Sequence, residues 1–480
     1  MQVGVRIARL SSSRFRSPHF PLLSTTSRRL RCNLSPSAAS PEECELNEES
    51  DKFLRWLRQK AGSEISSVLS LGNSIYGRSL FASKNIKSGE CILKVPYIAQ
   101  ITSENISREI KLLLPRDIEN VSRLAYSGWA TYVNSLPSID EMHNAIFWSK
   151  DELELVRDSA IYQETINLQA HIKKEYSVLG PVLEQFPYDF GDVHLMDFMH
   201  AYALVTSRAW DTSKGVSLIP FADFLNHDGT CDAVLLSDVH EEISEVIADR
   251  DYAVGEQVMI RYGKFSNATL LLDFGFTLPY NKYDQVQLLM DIPSHDPLYG
   301  MKSEILKKHC WPRTTTNADK SNTSGNSFVV KEVKSAIGKG KGIPQALRAF
   351  ARVLSATSVE ELQSLITEAT ENDGRLARRP LKSNEREIQA HCILCSRLLH
   401  MIQGHDVALK KLKSVDASDC NGRQSLRTRM ARDLLNGELR VMKSAYAWLT
   451  NYYTSLSVPK EASLCSEEFS LTSAGDGELG

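Results

Sequence analysis

The spacing of apolar positions changes several times along the chain, and each change predicts a different element. Residues 51–60, DKFLRWLRQK, set Phe53, Leu54 and Leu57 beside Trp56 at helical spacing. From Ser74 to Thr102 the period shortens. RSLFAS (78–83) and ECILKV (90–95) read as strands joined by a tight turn at Ser88-Gly89. Longer periods follow from about 105 to 210, where DIENVSRLAYSGWATYVNSL and AIYQETINLQAHIKKEYSVLG predict helices. LMDFMHAYALVTSRAW predicts an apolar helix running into a strand. Between 216 and 292 the strand signal returns in AVLLSDV, ISEVIADRDY, EQVMIRYG and YDQVQLLMDI. Residues 312–327 are polar throughout and read as a loop. Beyond 340 three segments carry an i, i+3, i+4 stripe: PQALRAFARVLSAT, NEREIQAHCILCSRLLHMIQG and LLNGELRVMKSAYAWLTNYYTSL. The middle segment has Asn384 and Glu387 at capping-box spacing and Gly404 as a stop signal.

These signals predict an α+β chain in which a β-rich module, split by a helical insertion, precedes an all-helical domain. The expected boundaries are 50–104 and 196–295 for the two parts of the module and 105–195 for the insertion. A linker is expected over 296–335, the helical domain over 336–460 and a disordered tail over 461–480.

Composition adds constraints. An apolar fraction of 42% with 24% charged residues is that of a soluble globular protein. The longest apolar candidate, Ile388 to Ile402, is broken by Gln389, His391, Arg397 and His400, so no membrane-spanning helix is expected. Residues 1–41 hold seven Arg, nine Ser and no carboxylate, the composition of an organelle transit peptide. Removing those seven charges would take the net charge from −3 to −10, which argues against a general nucleic-acid binder. The nine cysteines are dispersed, which does not describe a disulfide framework. The lone pair Cys392 and Cys395 sits on a helical stripe with Ile388, Leu399 and Ile402 and reads as buried packing. No second ligand pair accompanies it, so no metal site is expected.

Three patches remain: YGRSLFA (76–82), PFADFLNHD (220–228) and GEQVMIRYGKFSNATLLLDFGF (255–276). In this order they resemble the motifs of the SET-domain protein methyltransferases. The similarity is greatest to the split-SET group typified by the plastid Rubisco large-subunit lysine methyltransferase and the actin-histidine methyltransferase. The resemblance extends over roughly residues 50–460, and it includes the helical insertion and the C-terminal helices.

The resemblance implies S-adenosylmethionine as cofactor and assigns residues. Asn226 and His227 match the family's cofactor pair, Arg208 an arginine near the cofactor carboxylate, and Tyr76, Gly77 and Arg78 the first cofactor loop. Asp223 either contacts the cofactor or caps a turn. Tyr262 matches the catalytic tyrosine, Ser266 and Asn267 would fix the turn after it, and Phe274 and Phe276 would wall the pocket. Two departures stand out. Tyr76 and Ser79 lie where relatives often carry a glutamate and a second glycine, and Phe274 replaces the tyrosine of a D-Y-G-F segment. The function implied is protein-lysine N-methylation of a stromal plastid protein docked on the C-terminal helices. The alternatives are histidine methylation, a SET-fold scaffold without turnover, and a mitochondrial rather than plastid location. No nucleic acid, no membrane and a monomer are the remaining expectations.

Overall fold

The computed structural model describes residues 48–75, 77–102, 128–184, 192–212, 214–309, 327–336, 338–415 and 422–457. The expected transit segment 1–41, the tail 461–480, Tyr76 and most of the predicted helix 117–136 lie outside the described residues. Two compact units account for the chain. One comprises residues up to Phe147 with Ile166–Phe265 and Thr269–Phe276; the other comprises Trp148–Thr165, Ser266–Ala268 and everything from Thr277.

Among the described residues the first unit begins with helix α1 (Glu48–Ala61), whose Phe53 and Leu57 are buried one turn apart. Its acidic residues come first and Arg58 and Lys60 last, matching the helix dipole. Strands β1 (Leu69–Ser74) and β2 (Gly77–Ala82) form an antiparallel hairpin closed between Ser74 and Gly77. β3 is Cys91–Pro96. The expected strands 78–83 and 90–95 exist but do not pair with each other. β2 pairs with β1, and its other edge receives Gln257, with Val258 N–H donating to Leu80 O.

Helix α2 (Ala160–Leu183) starts in the second unit and continues into the first, and α3 (Leu195–Arg208) runs directly into β4 (Ala209–Thr212). β4 pairs with β5 (Gly215–Leu218). β6 is only Asn226–His227. β7 (Leu235–Asp238) and β8 (Ile243–Ile247) join β3 in a three-stranded sheet ordered β3-β8-β7. β9 (Met259–Ile260) pairs parallel with β6, matching Asn226 to Met259 and His227 to Ile260. Two-residue parallel pairing leaves little ladder to hold these segments, so the apolar core beneath does it: Phe221, Phe224, Leu225, Val258 and Ile260 are buried.

The second unit contains β10 (Gln285–Leu289), α4 (Tyr299–His309), β11 (Ser327–Lys331) and four further helices. These are α5 (Gln345–Ser355), α6 (Val359–Glu371), α7 (Asn384–Val415) and α8 (Gly422–Ser457). The linker expected over 296–335 is corrected here. α4 occupies part of it, and β11 pairs antiparallel with β10. The polar run expected as a loop over 312–327 lies, but for its last residue, outside the described residues, and Ile305, Leu306 and Val330 on either side of it are core residues.

Two further expectations fail on α7. Gly404 does not stop the helix, which runs eleven residues further to Val415. A side chain there would come within 3.0 Å of the Asp158 carboxyl, so glycine serves a close approach, not a cap. Asn384 is not the cap either. The Ser383 hydroxyl accepts from Arg386 N–H at 3.4 Å, and the Glu387 carboxylate turns inward to a buried pair with Arg352. Of the CxxC pair, Cys395 is buried and Cys392 exposed, and no cluster of metal-ligating residues occurs among the described residues. Asn267, expected beside Tyr262, is wholly buried and brackets Leu278: its Oδ1 accepts from Leu278 N–H and its Nδ2 donates to Leu278 O.

Candidate active site

Four of the predicted residues meet where β6 lies beside β9. Phe221 enters this segment at φ +76, an unfavourable backbone for a non-glycine residue, and a short 3-10 turn Ala222–Phe224 follows. That sharp entry turns an apolar run into the polar Asn226-His227 step. Asn226 Nδ2 donates to Ser79 Oγ at 2.8 Å, joining the second patch to the first. Ser79, fully buried, donates in turn to Gly77 O at 3.0 Å. Gly77 has φ +87 with no atom near its missing side chain, so glycine is required there by conformation alone. Arg78 points elsewhere, donating to Ser135 O at 2.6 Å.

His227 is 7% exposed. Its Nδ1 accepts from Tyr262 N–H at 3.0 Å, which places the ring proton on Nε2. That Nε2–H has no partner among the described residues. Burial, with Arg261 adding to it, pushes the ring down to about 4, so the imidazole is neutral at physiological pH. The Tyr262 hydroxyl donates to Leu225 O at 2.7 Å, and burial holds the phenol above its usual value. Tyr262 thus carries its proton and directs it away, leaving oxygen lone pairs for another donor.

Aromatic rings surround that oxygen. Phe274 lies 5.4 Å and Phe276 6.5 Å from the Tyr262 ring, and Phe276 is 6.0 Å from His227. Trp210 meets Tyr262 edge-on at 5.7 Å. Leu270–Phe274 forms a π-turn that ends at Gly275 with φ +79. A Cβ at Gly275 would lie 2.9 Å from Asn144 N, and Asn144 Nδ2 donates to Asp273 O at 2.9 Å. The two phenylalanines are therefore aimed by a turn that only glycine can close.

Arg208 and Asp223 occupy a second corner. Arg208 Nη1 donates to both the carboxylate and the carbonyl of Asp223 at 3.1 Å. Tyr132 OH donates to the same carboxylate oxygen at 2.8 Å. The Asp223 side chain is wholly inaccessible, while Arg208 keeps 19% exposure. Asp223 therefore holds Arg208 through one carboxylate oxygen and its carbonyl. Burial pushes its carboxyl up, opposed first by Arg208.

Tyr132, Trp210 and Asn144 were not singled out from the sequence. Trp210 had a signal only in its position, two residues beyond Arg208 where the helix α3 passes into β4. The hydroxyl of Tyr132, in contrast, looks like any other position on an apolar stripe. Tyr76, predicted in the first loop, lies outside the described residues.

The site asks for a polar guest. His227 Nε2, Trp210 Nε1 and Asp223 Oδ1 are buried without partners among the described residues, and Arg208 offers a guanidinium of which one edge is engaged. A zwitterionic molecule with a carboxylate and a heteroaromatic ring fits that donor set. The SET domain model matches residues 77–263, and the Rubisco LSMT substrate-binding model matches 293–442. The chloroplastic [fructose-bisphosphate aldolase]-lysine N-methyltransferase of Arabidopsis thaliana is 27% identical over 303 residues, 56% of this chain and 60% of that protein. The Rubisco large subunit N-methyltransferase of Pisum sativum is 26% identical, covering 55% and 58%. Human actin-histidine N-methyltransferase is 23% identical, covering 55% and 48%. The matches thus span less than two thirds of each relative. The solved structure of Rubisco LSMT bound to AdoMet superposes with a TM-score of 0.64 at 21% identity, covering 89% of this chain and 98% of that one, which shows a shared fold.

Proposed function

We propose that this chain, which carries a SET domain followed by a Rubisco LSMT substrate-binding domain, is an S-adenosylmethionine-dependent protein-lysine N-methyltransferase. The observation that carries the reading is the meeting of Tyr262, His227 and Arg208 at one partly open, aromatic-walled point. S-adenosylmethionine, when bound, supplies an electrophilic methyl group. The residues of this chain do the rest. Arg208, steadied by Asp223, binds a carboxylate with its free edge. Asn226 and His227 supply donors for the remaining polar atoms of the cofactor. Trp210, Phe274 and Phe276 line a narrow apolar wall that keeps out water and favours a neutral amine over an ammonium ion, which matters because a free lysine has a pKa of about 10.4. The Tyr262 oxygen, with its proton committed to Leu225, accepts a hydrogen bond from the incoming amine and so orients the nitrogen lone pair.

Lysine is preferred over histidine because the Arabidopsis thaliana lysine N-methyltransferase is 27% identical to this chain and human actin-histidine N-methyltransferase 23%, and the Arg- and Ser-rich first 41 residues together with the chloroplastic relatives support a plastid substrate. The test is calorimetric titration of the full chain with S-adenosylhomocysteine, beside Asn226→Ala. Saturable binding that the substitution weakens by about tenfold or more supports the pocket. No binding by the unaltered chain sinks the enzyme reading and leaves a scaffold. Mass spectrometry of stromal proteins methylated by the chain then reads out lysine or histidine directly.

A further inference from the structure

Residues 334–348 contain Lys334, Lys339, Lys341 and Arg348 and no carboxylate. The three lysines lie on a loop held at several points, and Arg348 lies in the first turn of α5. Lys331 N–H donates to Gly342 O at 2.9 Å and closes the loop. Val333 N–H donates to Ser444 Oγ on α8 at 2.9 Å, and one helical turn further on Trp448 Nε1 donates to Gly338 O at 3.1 Å. Gly338, Gly340 and Gly342 all have positive φ, at 111°, 60° and 125°. A Cβ on Gly340 would lie 2.6 Å from the Trp448 indole, and one on Gly342 2.5 Å from Lys331 O. The glycines therefore press the backbone onto α8 and hold the intervening lysines outward.

The charge on this platform is not neutralised. Lys334, Lys339 and Lys341 are exposed and make no ion pair among the described residues. Arg348, half-buried, has its guanidinium carbon 5.7 Å from the Trp448 ring and likewise makes no hydrogen bond or ion pair among the described residues. The carboxylate whose charge reaches it, Glu387, is already bonded to Arg352 and to Tyr452 OH. A guanidinium held near an indole with its edge unpaired is suited to bidentate binding of a carboxylate. A rigid loop adds little ordering cost on association.

We propose that this loop and Arg348 form a cationic seat for an acidic segment of the protein that is methylated. The occupant rests on the methyltransferase reading above, and the seat lies within residues 293–442, matched to the Rubisco LSMT substrate-binding domain. Three loop lysines and one arginine on α5 do not make the broad basic stripe that nucleic-acid binding requires.

The test uses the full chain and a fluorescein-labelled deca-glutamate peptide, followed by anisotropy at low salt. The variant Lys339→Glu/Lys341→Glu is compared with Lys173→Glu/Lys174→Glu, which makes the same change of net charge at two exposed lysines of the other unit. The expected result is a Kd raised about tenfold by the first variant and less than about twofold by the second, with unchanged thermal melting in both. Equal effects from both variants, no effect from the first, or tighter binding of a deca-thymidylate than of the peptide would overturn the seat. S-adenosylhomocysteine titration of the same samples separates the two ideas. Cofactor binding with peptide affinity unaffected by the loop variant removes the seat alone. Absence of cofactor binding removes the methyltransferase reading, whatever the peptide does.

Discussion

Each unit buries a histidine against a hydrogen-bonding partner, yet the two rings are held in opposite ways. His227 in the first unit accepts a backbone N–H on Nδ1, has a neutral ring pushed down to about 4, and leaves Nε2–H without a partner among the described residues. His405 in the second unit has Nδ1 at 3.0 Å from Met401 O and Nε2 at 2.8 Å from Glu438 Oε2. Both of those atoms face acceptors, so the ring is the imidazolium, raised above its usual value by Glu438 against the opposing cost of burial. Ser159 Oγ donates to the other Glu438 oxygen at 2.8 Å, which completes the group. A fully satisfied network fixes packing; a ring with one donor left over is a place for a ligand. That difference separates a structural histidine from a functional one better than burial does, since both are almost inaccessible.

The largest effect expected from this contrast comes from Glu438→Ala. It would leave the His405 charge and the Ser159 hydroxyl buried without an acceptor, at a cost of about 3–5 kcal/mol in urea unfolding. The Kd for S-adenosylhomocysteine should change by less than about twofold, because Glu438 belongs to the other unit. Loss of cofactor binding without loss of stability would invert the assignment of roles.

The pH dependence is the next largest, and the two rings contribute with opposite sign. The His227 ring is depressed from 6.5 to about 4, so the unfolded chain binds its proton first as pH falls. Its contribution is fully present above pH 6.5 and is lost towards pH 4, at about 1.4 kcal/mol per unit and so roughly 3 kcal/mol in all. The His405 ring is raised, so its contribution is fully present below pH 6.5 and is lost as pH rises through its folded value. Urea unfolding from pH 4 to pH 9 of the unaltered chain, His227→Leu and His405→Gln should show the acid slope flattened by the first substitution and the alkaline slope by the second. Identical slopes in all three would mean that neither ring is held as described.

What could be read in advance follows the same division. The β-rich module, helices α5, α7 and α8 of the second unit and the grouping of Asn226, His227 and Tyr262 were legible, because period and motif order are local properties of the chain, whereas α6 was not singled out. α4 and β11 were missed because a short polar run masked the buried Ile305, Leu306 and Val330 beside it. Gly404 was misread because its reason, the Asp158 carboxyl, lies far away in sequence. Asp223 and Arg208 were both noticed, yet their pairing was not. Fourteen residues of intervening chain fold back to bring them within 3.1 Å, and no local pattern encodes that.

Tyr132 is the sharpest instance of this non-local placement, and it gives the smallest effect. Its hydroxyl donates to the Asp223 oxygen that also receives Arg208 Nη1. Tyr132→Phe keeps the ring in the core and removes one hydrogen bond to a charged group, at a cost of about 1.5 kcal/mol in urea unfolding. If that were the hydroxyl's whole role, ligand affinity would not follow. A carboxylate with one donor fewer draws Arg208 more strongly towards itself and away from its open edge. The variant should therefore weaken S-adenosylhomocysteine by several-fold while leaving the affinity for adenosine, which lacks the carboxylate, unchanged. Equal weakening of both ligands would reduce Tyr132 to a packing residue, and the Asp223–Arg208 pair would then set the corner without it.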